Sequence, residues 1–109
     1  MFTHCVFFWL KSDISAQERV SFERGLASLL GISSVVRGSF GVPAATDRPV
    51  VERSYSYGLT VCFENLAGHD AYQVDAIHHA FLEQCSQLWS RVQVYDFVEP
   101  ALIAGGVQR

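Results

Sequence analysis

The stretch "FTHCVFFWL", Phe2–Leu10, decides the fold. It is rich in aromatic and β-branched residues and reads as a strand. Alternation puts His4, Val6, Phe8 and Leu10 on one face and Thr3, Cys5, Phe7 and Trp9 on the other. Both faces are largely apolar. An antiparallel sheet with one wet side would alternate apolar with polar residues instead. This strand therefore lies in a sheet that is covered twice.

Outward from it, "SAQERVSFERGLASLLG" reads as a helix over 16–30. Ser15 and Glu18 have the spacing of a capping box. Phe22, Leu26, Leu29 and Leu30 form its apolar stripe, and Gly31 is expected as its C-cap. A weaker strand follows at 34–42, then a loop at 43–54 punctuated by Pro43 and Pro49. "SYSYGLTVCFE" (54–64) alternates. Tyr55, Tyr57, Leu59, Val61 and Phe63 share one face; Gly58, Thr60 and Cys62 share the other. Helices are expected at 66–75 and 77–89, and a last strand at 91–99. The order βαββαβ predicts an α+β, ferredoxin-like fold: a four-stranded antiparallel sheet with helices on one face.

The uncovered face would carry Cys5, Phe7, Trp9, Cys62, Tyr95 and Phe97. So aromatic a surface calls for a partner. Two copies meeting sheet to sheet would remove about 600–800 Å² of apolar area per subunit from water. That is worth roughly 15–20 kcal/mol before association costs of about 4–15 kcal/mol. A two-fold homodimer is the simplest closed solution. The apolar "ALIAGG" of the tail is expected to add contacts to the partner.

Length and composition bound the function. The 109 residues make one domain, 1–109, half of it apolar and 17% charged. A net charge of −3 leaves no basic surface for nucleic acid. No apolar run is long enough to span a membrane. The apolar start lacks a basic leader and is interrupted by His4, so a signal peptide is not expected and the cytoplasm is the expected location. Cys5, Cys62 and Cys85 are odd in number, widely spaced and set among apolar residues, which fits reduced, buried thiols.

The segment "DAYQVDAIHHAF" (70–81) carries the candidate chemistry. His79 lines up with Glu83, Ser86 and Ser90 on the wet side of its helix. His78 lines up with Leu82, Cys85 and Trp89, beside the row of Ile77, Phe81, Cys85 and Leu88. His78 thus points inward. His4, on the helix-facing side of the first strand, and Tyr57, on that side of the third, point the same way. A pocket between sheet and helices would collect His4, Tyr57, Tyr72 and His78 in a shell of Val6, Phe8, Leu59 and Phe81. Tyr72 and His78 are six residues apart and would diverge by about 120° on one continuous helix. They meet only if the helix breaks near Asp75–Ala76. A core histidine satisfied by a backbone carbonyl is the competing account.

"THCVFFWLK", "PAATDRPVV", "SYSYGLTVCFE", "DAYQVDAIHHAF" and "VYDF" together resemble the stress-responsive dimeric α/β-barrel (Dabb) family over residues 3–98. The resemblance implies a ferredoxin-like subunit that dimerises into an α/β barrel. Most members have no assigned chemistry. Studied members include a plant olivetolic acid cyclase, which performs a cofactor-free aldol condensation. The tyrosine and histidine of that motif are matched by Tyr72 and His78, and its strand histidine by His4. The usual His-Pro between them is Asp75–Ala76 here. Tyr57 stands where the cyclase pocket has a histidine, and Leu26 where it has a tyrosine.

Two functions follow. In the first, the dimer is a stress-response protein that binds a small apolar or aromatic ligand. In the second, it is a cofactor-free cyclase, aldol-type lyase or monooxygenase-like enzyme. His78 would take the proton and Tyr72 would bind the developing oxyanion. No phosphate loop, nucleophile motif or metal-ligand spacing is present, and adjacent histidines on a helix diverge, so neither metal nor cofactor is expected.

Overall fold

A computed structural model describes residues 1–101. Four strands, β1 (Phe2–Leu10), β2 (Arg37–Gly41), β3 (Tyr57–Phe63) and β4 (Trp89–Val98), form one antiparallel sheet in the order β2-β3-β1-β4. Helices α1 (Ala16–Leu29), α2 (Leu66–Gln73) and α3 (Ala76–Cys85) lie between them in the chain, giving the expected ferredoxin-like βαββαβ arrangement. The tail residues 102–109, and with them most of the expected tail contact, lie outside the described residues.

β1 is central, flanked by β3 and β4, and this explains its two apolar faces. Phe2, His4, Val6 and Phe8 are buried beneath the helices, while Thr3, Cys5, Phe7 and Trp9 look out from the open face. The register sets Tyr95 opposite Cys5 and Phe97 opposite Thr3, so both aromatics join that open face. Each is 58% exposed. Tyr55 precedes β3 and escapes strand parity. It stacks edge-on against Phe7 at 4.9 Å on the open face, not beside Tyr57 as strict alternation predicts.

α1 starts with the expected capping box: Glu18 N–H donates to Ser15 Oγ at 3.0 Å, and Ser15 N–H donates to Glu18 Oε1 at 2.8 Å. Phe22, Gly25, Leu26 and Leu29 form its buried stripe. Gly31 does not cap it. The C-cap is Leu30, and the last turn tightens through Leu30 N–H to Ala27 O and Gly31 N–H to Ser28 O. Gly25 matters instead, because a Cβ there would sit 2.9 Å from both Cys85 Sγ and Phe81 Cδ1 of α3. Its missing side chain lets the two helices touch.

α3 ends at Cys85, earlier than expected; a 3₁₀ turn over Ser86–Leu88 follows and Trp89 opens β4. Ile77 and Leu82 are exposed rather than packed. Both follow from the helices sitting over β1 and β3 and leaving the β4 edge uncovered. On that edge Val92 and Val94 point to the helix side yet remain 41% and 42% exposed. Cys62 and Cys85 are buried and Cys5 is half-buried, all three as free thiols. Burial pushes the Cys85 thiol above its ordinary range.

Candidate functional site

The uncovered strip between α3 and β4 opens a cavity of about 170 Å³ under the helices. His4, Val6 and Phe8 of β1, Leu59 of β3, Tyr72 of α2 and His78 and Phe81 of α3 line it. Leu29, Gln73, Leu82, Trp89, Val92 and Val94 complete it. Tyr57 does not line it. Its ring is buried against Phe22, and its hydroxyl donates to Glu23 on α1. Burial and the Glu23 bond raise the Tyr57 hydroxyl, which fixes it as a structural donor.

The break between α2 and α3 brings the key pair together. Val74 ends α2, and Asp75 turns outward into extended backbone as the N-cap of α3. Its carboxylate accepts from Ile77 N–H at 2.8 Å. An aspartate cap thus does what a proline would do. After the break the Tyr72 and His78 rings face each other with centroids 5.0 Å apart.

His78 Nδ1 is buried without a hydrogen-bond partner among the described residues. A histidine kept for structure would have its ring nitrogens satisfied. Burial is the main cause holding the His78 imidazole below its ordinary range, and the neighbouring His4, His79 and His69 add to it, while Asp75 opposes. The ring is therefore neutral at neutral pH. Tyr72 is only 1% exposed, and burial drives its hydroxyl well above the ordinary range. It keeps its proton. Burial thus favours the neutral form of both side chains.

Of the cavity's lining residues, His4 is 5% exposed, and its Nδ1 lies 2.5 Å from Asp96 Oδ1. Asp96 faces His4 directly in the β1–β4 register. Its part was not read from the sequence, because only the strand register reveals the pairing. His79 is exposed, as expected. A larger groove of about 350 Å³ lies on the opposite face of the sheet, among Phe7, Trp9, Tyr55 and Tyr95, with Arg91 4.1 Å over the Trp9 ring. It holds no acid–base pair comparable to Tyr72 and His78, and belongs to the face expected to be covered.

With this geometry in view, comparison with known proteins places the chain. Residues 2–99 match the model of the stress responsive A/B barrel domain. The chain belongs to this family. Members and neighbours of known structure share its architecture. A Dabb family protein with a ferredoxin-like fold from Mesorhizobium loti is 21% identical, with TM-score 0.72 over 91% of this chain and 96% of that one. A dimeric ferredoxin-like protein of unknown function from Thermobifida fusca is 17% identical, with TM-score 0.73 over 90% of each chain. The hydroxynitrile lyase from Passiflora edulis is 15% identical, with TM-score 0.75 over 91% of this chain and 93% of that one. At these identities the likeness concerns the fold. A search of curated proteins found no match.

Proposed function

We propose that this Dabb domain works as a homodimer and uses the cavity between α3 and β4 to bind a small apolar or aromatic compound and move a proton on it, without a cofactor. One observation carries this reading: His78, unpartnered at Nδ1, packs against Tyr72, and both line an apolar chamber that opens to solvent. Unsatisfied polar atoms are costly to bury, and their persistence points to a ligand or reaction that uses them.

The chamber sets the substrate's size. Apolar cavities of about 150 Å³ hold one benzene ring, so about 170 Å³ suits a single ring with a short substituent. Phe8, Phe81 and Trp89 would pack the ring. Neutral His78 would take a proton from the carbon beside a carbonyl, or from a hydroxyl. The Tyr72 hydroxyl would donate a hydrogen bond to the oxygen that becomes negative. Aldol-type cyclisation and hydroxynitrile cleavage both need this base and donor, and a fold neighbour is a hydroxynitrile lyase. Dimerisation is supported by the exposed Tyr95 and Phe97 on the same open face as Phe7 and Trp9, and by a neighbour described as dimeric.

The test is turnover of a panel of small aryl ketones, β-diketones and aromatic hydroxynitriles by the wild type, His78→Ala and Tyr72→Phe. The expected result is turnover of at least one class, with kcat lower by about 10²–10⁴-fold in His78→Ala and about 10²–10³-fold in Tyr72→Phe. Turnover that survives both substitutions would overturn the reading, as would a panel that neither reacts nor binds.

A further inference from the structure

His69 takes no part in the cavity. It sits on α2 with its ring stacked on Phe2 at 4.7 Å and edge-on to His4 at 5.2 Å. Its Nδ1 lies 3.1 Å from Asp70 Oδ1. One donor atom from each of His4, His69 and Asp96 lies within 4.8 Å of the donor atoms of the other two. We propose that His4, His69 and Asp96 form a binding site for one divalent first-row transition-metal ion.

The chemistry of the donors sets the class of ion. Two imidazoles and one carboxylate suit zinc, iron(II), cobalt(II) or nickel(II); magnesium and calcium prefer all-oxygen sites. Ligands about 2.0–2.2 Å from a metal stand about 3 Å apart, so closing the group around an ion asks for side-chain shifts on the order of 1 Å. The Asp70 carboxylate is positioned to accept from His69 Nδ1–H, and carboxylates orient ligating histidines in this way; His69 Nε2 then accepts from the Gln73 side-chain amide at 3.4 Å, a contact the ion would displace. The ion would take the place of the hydrogen bond between His4 Nδ1 and Asp96 Oδ1. The Asp96 side chain is 37% exposed, against 7% for His4, so the ion arrives from the Asp96 side. Three protein ligands leave coordination positions open, and His4 also lines the cavity, so the ion would border it. No local spacing announces the triad, since its members come from β1, α2 and β4. It stands on these three side chains alone, whether or not His78 and Tyr72 act on a substrate.

The test uses tag-free full-length protein, stripped with chelator and titrated with cobalt(II) and zinc(II) by calorimetry, with the visible spectrum of bound cobalt as a second readout. The expected result is one ion per chain with micromolar or tighter affinity. His69→Ala and Asp96→Asn, checked for folding by circular dichroism, should each bind at least tenfold more weakly. His79→Ala, which alters an exposed histidine elsewhere, should bind like the wild type. No stoichiometric binding by the wild type would overturn the proposal. So would binding that survives both His69→Ala and Asp96→Asn, or that His79→Ala weakens equally.

Discussion

Replacing His78 by phenylalanine should make the protein more stable while removing the proposed base. His78 Nδ1 is buried without a partner among the described residues. An unsatisfied buried polar atom costs about 1–3 kcal/mol. The ring as a whole is half-buried, so the lower end of that range applies. Phenylalanine keeps the aromatic contact with Tyr72, and the adjoining cavity takes up its extra volume. The expected gain is therefore about 1 kcal/mol, which for a domain of this size raises Tm by about 4 °C. Thermal unfolding of the two proteins at one fixed concentration and pH 7.5 measures it, since any dimer makes Tm concentration-dependent. A loss of 1 kcal/mol or more in His78→Phe would refute the reasoning. It would mean that the histidine holds a hydrogen bond the fold needs.

The same residue fixes a pH dependence. Burial, reinforced by His4, makes folded His78 release its proton more readily than the unfolded chain does. The unfolded state therefore takes up more protons as pH falls through about 6.5, and the wild type loses stability there. The Tm gap between His78→Phe and the wild type should widen from pH 7.5 to pH 5.5; a constant gap contradicts the assignment. For any substrate found, kcat/KM should stay level down to pH 6.5 and fall only below it, as the base is protonated. Gly25→Ala, which sets a methyl group against Cys85 and Phe81, should cost about 1–3 kcal/mol by urea unfolding. Phe97→Asp on the open face should convert a dimer into a monomer in analytical ultracentrifugation; an unchanged sedimentation coefficient counts against the sheet-to-sheet assembly.

Much of this architecture is local and hence legible. The parity of Phe2–Leu10 separates a helix-facing row from an open row, and the capping box at Ser15 and Glu18 needs only three residues of sequence. The requirement for a break near Asp75 follows from helical geometry, and aspartate's preference for N-caps supplies it. Other features depend on distant parts of the chain. Tyr55 sits next to a strand but outside it, so alternation misplaces it. Tyr57 shares the inward face yet turns its hydroxyl to Glu23, a choice made by α1 packing. Asp96 meets His4, and His69 meets both, only through the strand register and the seating of α2. No spacing rule reaches across such separations.

The central claim is that the chamber beneath α3 receives a small ring beside the contacting His78 and Tyr72 side chains. Crystals soaked with a small aryl ketone such as acetophenone test it most directly. The account predicts the ring against Phe8 and Phe81, with its carbonyl oxygen in hydrogen-bond reach of the Tyr72 hydroxyl. Ligand density confined to the groove by Trp9 and Tyr55, with the His78 chamber closed, would contradict it.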